Sequence, residues 1–200
     1  GNFEFAQGVR YERADYKVKR TSSTSPGINT TTDDDNFAYE VSANYLYSDT
    51  GKTYIRYERG FTSPPPALLT NKDKATGEYY LNDLESEKYD NFEIGVSDYI
   101  GFTSFNASVF YTVTKDEITQ DMASGMPPAW INNYNLGKTE RIGFELKAEQ
   151  YLGKLTLSQS YAYINAKIKD GEVKDVDVSG NRVANVPRNK FNIGANYRFT

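Results

Sequence analysis

The 200 residues carry 23 Lys and Arg against 27 Asp and Glu, with no His and no Cys, for a net charge of −4 at neutral pH. An isoelectric point near 5.0 without a basic stripe argues against nucleic acid as a partner, and absent cysteine removes disulfides and thiolate metal sites. Hydrophobic residues reach only 38% and mean hydropathy is −0.69, yet 17 Tyr and 11 Phe supply strand-forming rings suited to a membrane–water boundary. No stretch approaches the ~20 apolar residues of a spanning helix, so a membrane protein of this sequence must be a barrel.

Eight stretches alternate apolar and polar residues with period two, the mark of strands. In chain order they run from Phe3 to Lys19, Asn36 to Tyr47, Thr53 to Phe61, Lys88 to Tyr99, Phe102 to Glu117, Ile131 to Tyr151, Lys154 to Lys169 and Asn189 to Phe199. The links between them alternate strictly, long then short. The short ones, Ser48-Asp49-Thr50-Gly51-Lys52, Ile100-Gly101 and Leu152-Gly153, each contain the Gly that a hairpin turn demands. The long ones gather Ser, Thr, Asn, Asp and Pro. This predicts an all-β, antiparallel up-and-down meander, the arrangement of outer-membrane barrels with tight turns at one end and long loops at the other.

Each stretch has one apolar and one polar face. In the fifth, Phe105, Ala107, Val109, Tyr111 and Val113 oppose Ser104, Asn106, Ser108, Thr112 and Thr114. In the sixth, Ile142, Phe144, Leu146 and Ala148 oppose Arg141, Glu145, Lys147 and Glu149. Gln7 and Gln159 break the pattern on the apolar side, as does Arg59, near a strand end from which it can snorkel. A soluble barrel or sandwich shows the same alternation with inside and outside exchanged. Strand lengths of ten or more residues, the alternating loop lengths and the neutral Ser, Thr and Asn of the polar faces favour a lipid-facing exterior and a polar lumen.

Several segments are similar to the TonB-dependent receptors. Tyr54-Ile55-Arg56-Tyr57-Glu58-Arg59-Gly60-Phe61-Thr62-Ser63-Pro64 resembles the family's strand that ends in Gly-Phe, two residues and Pro. Leu84-Glu85-Ser86-Glu87 with Phe92-Glu93-Ile94-Gly95-Val96 resembles its Leu-x-x-Glu segment leading into a Glu-x-Gly strand. Asn135-Leu136-Gly137-Lys138-Thr139-Glu140-Arg141-Ile142-Gly143-Phe144-Glu145 and Val186-Pro187-Arg188-Asn189-Lys190 continue the order. The resemblance implies a barrel of 22 strands around a plug domain. Residues 1–200 are expected to supply about eight strands from its C-terminal half, as a small barrel or an open sheet, with the plug, the TonB-binding segment and the remaining strands absent.

The implied function is import across the outer membrane of a Gram-negative bacterium. The cargo is a scarce nutrient such as a ferric siderophore or similar metal chelate, and TonB supplies the power. Partners implied are outer-membrane lipid, the chelate, and TonB and the plug through the N-terminal part; no cofactor is implied. Arg59, Gly60, Phe61, Pro64, Gly95 and Gly143 read as structural signatures, the glycines relieving crowding where backbone approaches closely. Arg141, Glu145, Lys147 and Glu149 either meet the plug or form a solvated charge ladder. Trp130, beside Met126-Pro127-Pro128, is a ligand platform in an extracellular loop or a girdle anchor. Asp33-Asp34-Asp35 is an acidic loop tip that can attract a cation or simply be hydrated.

Two other classes compete. An enzyme is disfavoured because neither imidazole nor thiol is present and no Gly-x-Ser-x-Gly or phosphate loop occurs. A self-contained eight-stranded outer-membrane barrel, or a soluble carrier of lipocalin type, has the right strand number for closure. Solubility separates the carrier from a lipid-facing wall.

Overall fold

The computed structural model describes residues 1–21, 27–73, 75–120, 132–173 and 176–199. Its strands are β1 (Phe3–Arg20), β2 (Ile28–Leu46), β3 (Lys52–Thr62), β4 (Thr70–Lys72), β5 (Tyr79–Leu81), β6 (Glu87–Ile100), β7 (Thr103–Gln120), β8 (Asn133–Leu152), β9 (Leu155–Asp170), β10 (Glu172–Val173), β11 (Val176–Asp177) and β12 (Asn189–Tyr197). The eight long strands form one sheet in the order β1-β2-β3-β6-β7-β8-β9-β12, each antiparallel to its neighbours. It is therefore a meander, as the alternation predicts. The ribbons β4–β5 and β10–β11 sit inside two of the long connections. β1 and β12 are the edges and no ladder joins them, so of the two forms expected the open sheet is the one adopted.

Turn chemistry fixes the register at the tight end. Gly101 and Gly153 open two-residue loops with φ of 61° and 66°, and the residue after each lacks a positive φ, the pattern of a II′ hairpin. The five-residue turn after β2 is held differently. Ser48 Oγ accepts the Gly51 N–H at 2.7 Å, and Asp98 on β6 accepts from the Tyr47 hydroxyl at 2.9 Å and the Thr50 hydroxyl at 2.7 Å. A Cβ at Gly51 would stand 2.3 Å from the Tyr47 ring and 2.6 Å from the Asp98 carboxylate, so any larger residue would have to displace the clasp.

Register converts the alternation into two continuous surfaces. Ile55, Ile94, Val109, Phe144 and Tyr163 are successive cross-strand partners from β3 to β9. Ile94 is 56% exposed, Val109 52% and Phe144 42%, whereas Ser108 and Thr114 on the opposite face are 9% and 6% exposed. The apolar face is thus the uncovered one, the inverse of a soluble sandwich. The buried apolar cluster among the described residues is small: Leu136, Ala166, Ile168 and Val183, flanked by Ile164, Val178 and Val186. It forms because residues 178–188 run along the β9 edge beyond β12, with Ile168 N–H donating to Asn181 O and Ile164 N–H to Arg188 O.

One boundary departs from the sequence reading. β2 begins at Ile28 rather than Asn36, which places Asp33, Asp34 and Asp35 in a strand opposite Asp15, Ala14 and Arg13, not at a loop tip. β1 continues to Arg20 and offers a full ladder, and the run of Thr residues suits a strand without needing an apolar face. Asp34 accepts from Asn36 Nδ2 at 2.8 Å and from the Ser86 hydroxyl at 2.7 Å, while Asp33 lies 3.7 Å from the Arg13 guanidinium. Among the described residues no group of three His, Cys, Asp or Glu converges to hold a metal.

An uncovered face of Ile, Val, Phe and Tyr with two open edges has a direct consequence in solution. The chain is expected to run as a defined small species only in detergent and to self-associate in plain buffer, as measured by size-exclusion chromatography with light scattering. A stable monomer without detergent would contradict the outward orientation of this face.

Candidate functional site

The polar face of β3, β6, β7 and β8 is built from glycines roofed by aromatic rings. Gly60 faces Tyr89 across the β3–β6 ladder and Gly95 faces Tyr54; Gly143 faces Phe110 across β7–β8. A Cβ would lie 2.2 Å from the Tyr89 ring at Gly60, 2.4 Å from the Tyr54 ring at Gly95, and 2.3 Å from the Tyr163 carbonyl oxygen at Gly143. The missing side chain lets each ring lie flat along the wall. The two tyrosine hydroxyls then reach carboxylates: Tyr54 donates to Glu93 at 2.7 Å and Tyr89 to Glu58 at 2.9 Å. Arg56 stands between those carboxylates at 3.6 and 3.7 Å.

The four charges of β8 divide into two kinds. Arg141 is tied to the wall: one guanidinium nitrogen donates to both Glu117 oxygens at 2.8 and 2.9 Å, the other to the Thr139 hydroxyl at 2.9 Å and the Thr114 hydroxyl at 3.1 Å. Glu145 and Lys147 are 3.8 Å apart with side chains 40% and 67% exposed, and Glu149 is exposed while accepting from the Tyr151 hydroxyl at 2.7 Å. These three stand on the open surface where another body can meet them.

Glu117 was not legible as the partner of Arg141, because simple alternation puts it on the apolar face with Val113. Asp116 adopts φ of 57° and turns the strand so that Glu117 joins Thr114 on the polar side. Asp is among the few residues that tolerate this conformation. The signal available was the run Thr114-Lys115-Asp116-Glu117, where the apolar beat stops.

Arg59 keeps its place on the apolar face, exposed but bound to a carboxylate. Its Nε and Nη2 donate to the two oxygens of Asp90 at 2.8 and 2.6 Å, and the Tyr57 hydroxyl donates to the same carboxylate. Phe61 is overlaid by the Arg10 guanidinium at 5.3 Å. Pro64 is fully buried and Pro66 opens a single 3-10 turn, Pro66–Leu68, so the proline run starts an ordered excursion. Trp130, with Met126, Pro127 and Pro128, lies outside the described residues.

That excursion, residues 63–86, is seated on the rim by side-chain amides that imitate peptide groups. Asn71 donates to Asn133 O and accepts from Asn133 N–H, both at 2.9 Å. Asn135 makes the same paired contact with the Glu85 backbone at 2.9 Å, and Asn132 with that of Lys72 at 3.1 and 3.2 Å. At the other end Arg20 of β1 donates to the Thr70 hydroxyl at 2.8 Å and covers the Tyr79 ring. Within the turn, the Ala75 and Thr76 N–H groups donate to Asp73 and hold its carboxyl below the usual carboxylate range. An open apolar groove of about 550 Å³ between Ile55, Phe92, Ile94, Val109 and Ile142 lies on the opposite face, where acyl chains rather than a polar ligand fit.

A polar wall stiffened by internal ion pairs, an uncovered apolar face and long folded excursions at one end define a segment of a membrane β-barrel wall. Over residues 1–200 the sequence matches the TonB dependent receptor-like, beta-barrel family, and the chain belongs to it. Its fold is similar to that of the ferric yersiniabactin uptake receptor FyuA from Yersinia pestis, with a TM-score of 0.72 at 22% identity, covering 98% of this chain and 29% of that one. The FrpB iron transporter from Neisseria meningitidis gives 0.64 at 19% identity over 100% of this chain and 29% of that one. The ferric-catecholate import receptor Fiu from E. coli gives 0.64 at 21% identity over 100% and 30%. The chain thus spans under a third of the length of these structures. The family is one of transport receptors, not enzymes.

The glycine contacts rank two substitutions. Gly95→Ala meets a ring that can swing aside and is expected to cost about 1–3 kcal/mol, the usual range for overpacking. Gly143→Ala meets backbone and is expected to cost more. Denaturant unfolding in micelles measures both, and Tyr54→Ala should recover part of the Gly95→Ala loss. Equal tolerance of the two variants would show that close approach is not what selects glycine at residue 143.

Proposed function

We propose that this chain forms part of the barrel wall of an outer-membrane receptor that captures a scarce nutrient and admits it under power from TonB. A ferric siderophore or similar metal chelate is the proposed cargo. The observation that carries the reading is the pairing of an uncovered apolar face with a polar, glycine-and-tyrosine wall, in a chain that belongs to the TonB-dependent receptor family. Such a wall needs lipid on one side and a filled lumen on the other.

Within this reading residues 1–200 act as one partial barrel unit. The plug, the remaining strands and the TonB-binding segment come from other parts of the receptor. Glu145, Lys147 and Glu149 are the wall charges that face the plug, whereas Arg141 serves the wall itself. Gly60, Gly95 and Gly143 act structurally by admitting Tyr89, Tyr54 and Phe110, and Arg59, Phe61 and Pro64 shape the strand end and the start of the rim excursion. Trp130 is the loop position proposed to touch ligand. Binding and gating are the whole chemistry, with no bond made or broken.

Two measurements test this. Cells producing the intact protein under iron limitation are expected to take up at least one labelled ferric chelate, and the uptake should vanish when TonB is deleted. The double charge reversal E145K/K147E should lower uptake several-fold while leaving outer-membrane abundance unchanged. Uptake indifferent to TonB would sink the proposed power source, and an absence of binding to every ferric chelate tried would sink the cargo class.

A further inference from the structure

The apolar face carries one rung for which hydrocarbon gives no account. Lys88, Lys115 and Lys138 are direct cross-strand partners on β6, β7 and β8. Their strands lie about 5 Å apart, so three ammonium stems rise side by side from one surface. Like charges placed opposite each other in a sheet are destabilising. The face is fixed by their neighbours: Glu87 and Thr114, one residue away, bond on the polar side, whereas Lys138 pairs with Glu140 at 3.2 Å outside.

Nearby acids offset the rung only in part: Lys138 pairs with Glu140 and faces Asp170, and Lys115 acts on Asp90 through space without an ion pair. Glu140 is shared with Lys169 at 3.3 Å, Asp90 is taken by Arg59 at 2.6 Å, and Asp170 sits across the ladder from Lys138. Lys88 and Lys115 are exposed and make no ion pair with any described residue. Lys167, exposed on β9 opposite Glu140, adds a further cation.

Height gives the rung its meaning. On β7 the outward residues from Thr103 at the tight turn to Val113 are those of the apolar band. Ten strand steps cover about 33 Å of strand, or about 25 Å along the barrel axis at the usual tilt, which is the height of the lipid-facing band in such barrels. Lys115 is the next outward residue. The rung therefore stands where hydrocarbon gives way to headgroups, on the long-loop side.

We propose that Lys88, Lys115 and Lys138 form a binding site for the phosphate groups of a membrane lipid headgroup in the leaflet on the long-loop side. Compact ammonium groups with three donors each suit phosphate oxygens, and a bound phosphate relieves the repulsion that the fold otherwise carries. Lys stems lying along the top of the apolar band leave room for the acyl chains below. The proposal rests on the transmembrane reading above, and the two fail separately: a chain indifferent to detergent sinks that reading, while a detergent-requiring chain indifferent to phosphorylated lipid sinks only this one.

The test uses the intact protein purified in detergent, with a bisphosphorylated glycolipid in mixed micelles as probe. Controls are the same lipid after dephosphorylation and inorganic phosphate. Thermal stabilisation as a function of lipid gives an apparent affinity, and native mass spectrometry counts bound lipid. The K88Q/K115Q/K138Q variant should bind on the order of a hundredfold more weakly, about fivefold per lysine removed. In detergent alone it should melt no lower than the parent, since a repulsive rung has been neutralised, and K88R/K115R/K138R should retain binding. Unchanged affinity in the Gln variant, an equal response to dephosphorylated lipid, or full stabilisation by inorganic phosphate would each overturn the proposal.

Discussion

Inside a bilayer a peptide N–H or C=O has no water to turn to, and each one left alone costs several kcal/mol. The long strands of this chain answer that demand through long ladders, eighteen residue pairs between β1 and β2 alone, with irregularities only near Asp116 on β7 and Lys138 on β8. The same demand explains where proline occurs. Among the described residues the prolines, at positions 64 to 66 and 187, fall in the long connections, where a missing donor breaks no ladder. With the backbone satisfied by neighbours, side chains are left to sort by solvent, apolar outward and polar inward. A core in the soluble sense is then unnecessary, and the buried cluster around Leu136 and Ile168 is accordingly no more than a fastening for one connection.

A polar wall raises its own difficulty, because charged side chains held on one surface must be matched or they repel. Here matching is local. Arg56 lies between Glu58 and Glu93, which in turn hold the Tyr89 and Tyr54 hydroxyls, and Arg141 is gripped by Glu117 and two threonines. Thr139 is wholly buried in that second cluster. The glycines make the first network flat enough to line a pore, since a methyl group at Gly95 or Gly60 would lift the ring and its hydroxyl off the carboxylate. What remains exposed on β8, Glu145, Lys147 and Glu149, is the part of the wall with charge to spare for another surface.

Period-two alternation was enough to read all eight long strands, their two faces and the three tight turns from the sequence, because each of those depends on residues adjacent along the chain. The misses have a common cause. Ile28 to Asp35 pairs with β1 although both its faces are polar, and only the length of the partner strand could reveal that. Glu117 changes face through a single left-handed residue, Asp116, which period two cannot register. The seat of residues 63–86 joins Asn71 to Asn133 and Glu85 to Asn135, contacts about fifty to sixty positions apart in sequence with no hydrophobic signal. Trp130 belongs to a segment outside the described residues.

The amide seat beneath residues 63–86 separates two jobs that a surface feature usually has to combine. Its grip is made almost wholly from peptide groups and their asparagine mimics, so it is indifferent to which side chains occupy the stretches in between. The crest of the barrel can therefore exchange the side chains it displays without disturbing the brackets that hold it or the masonry below.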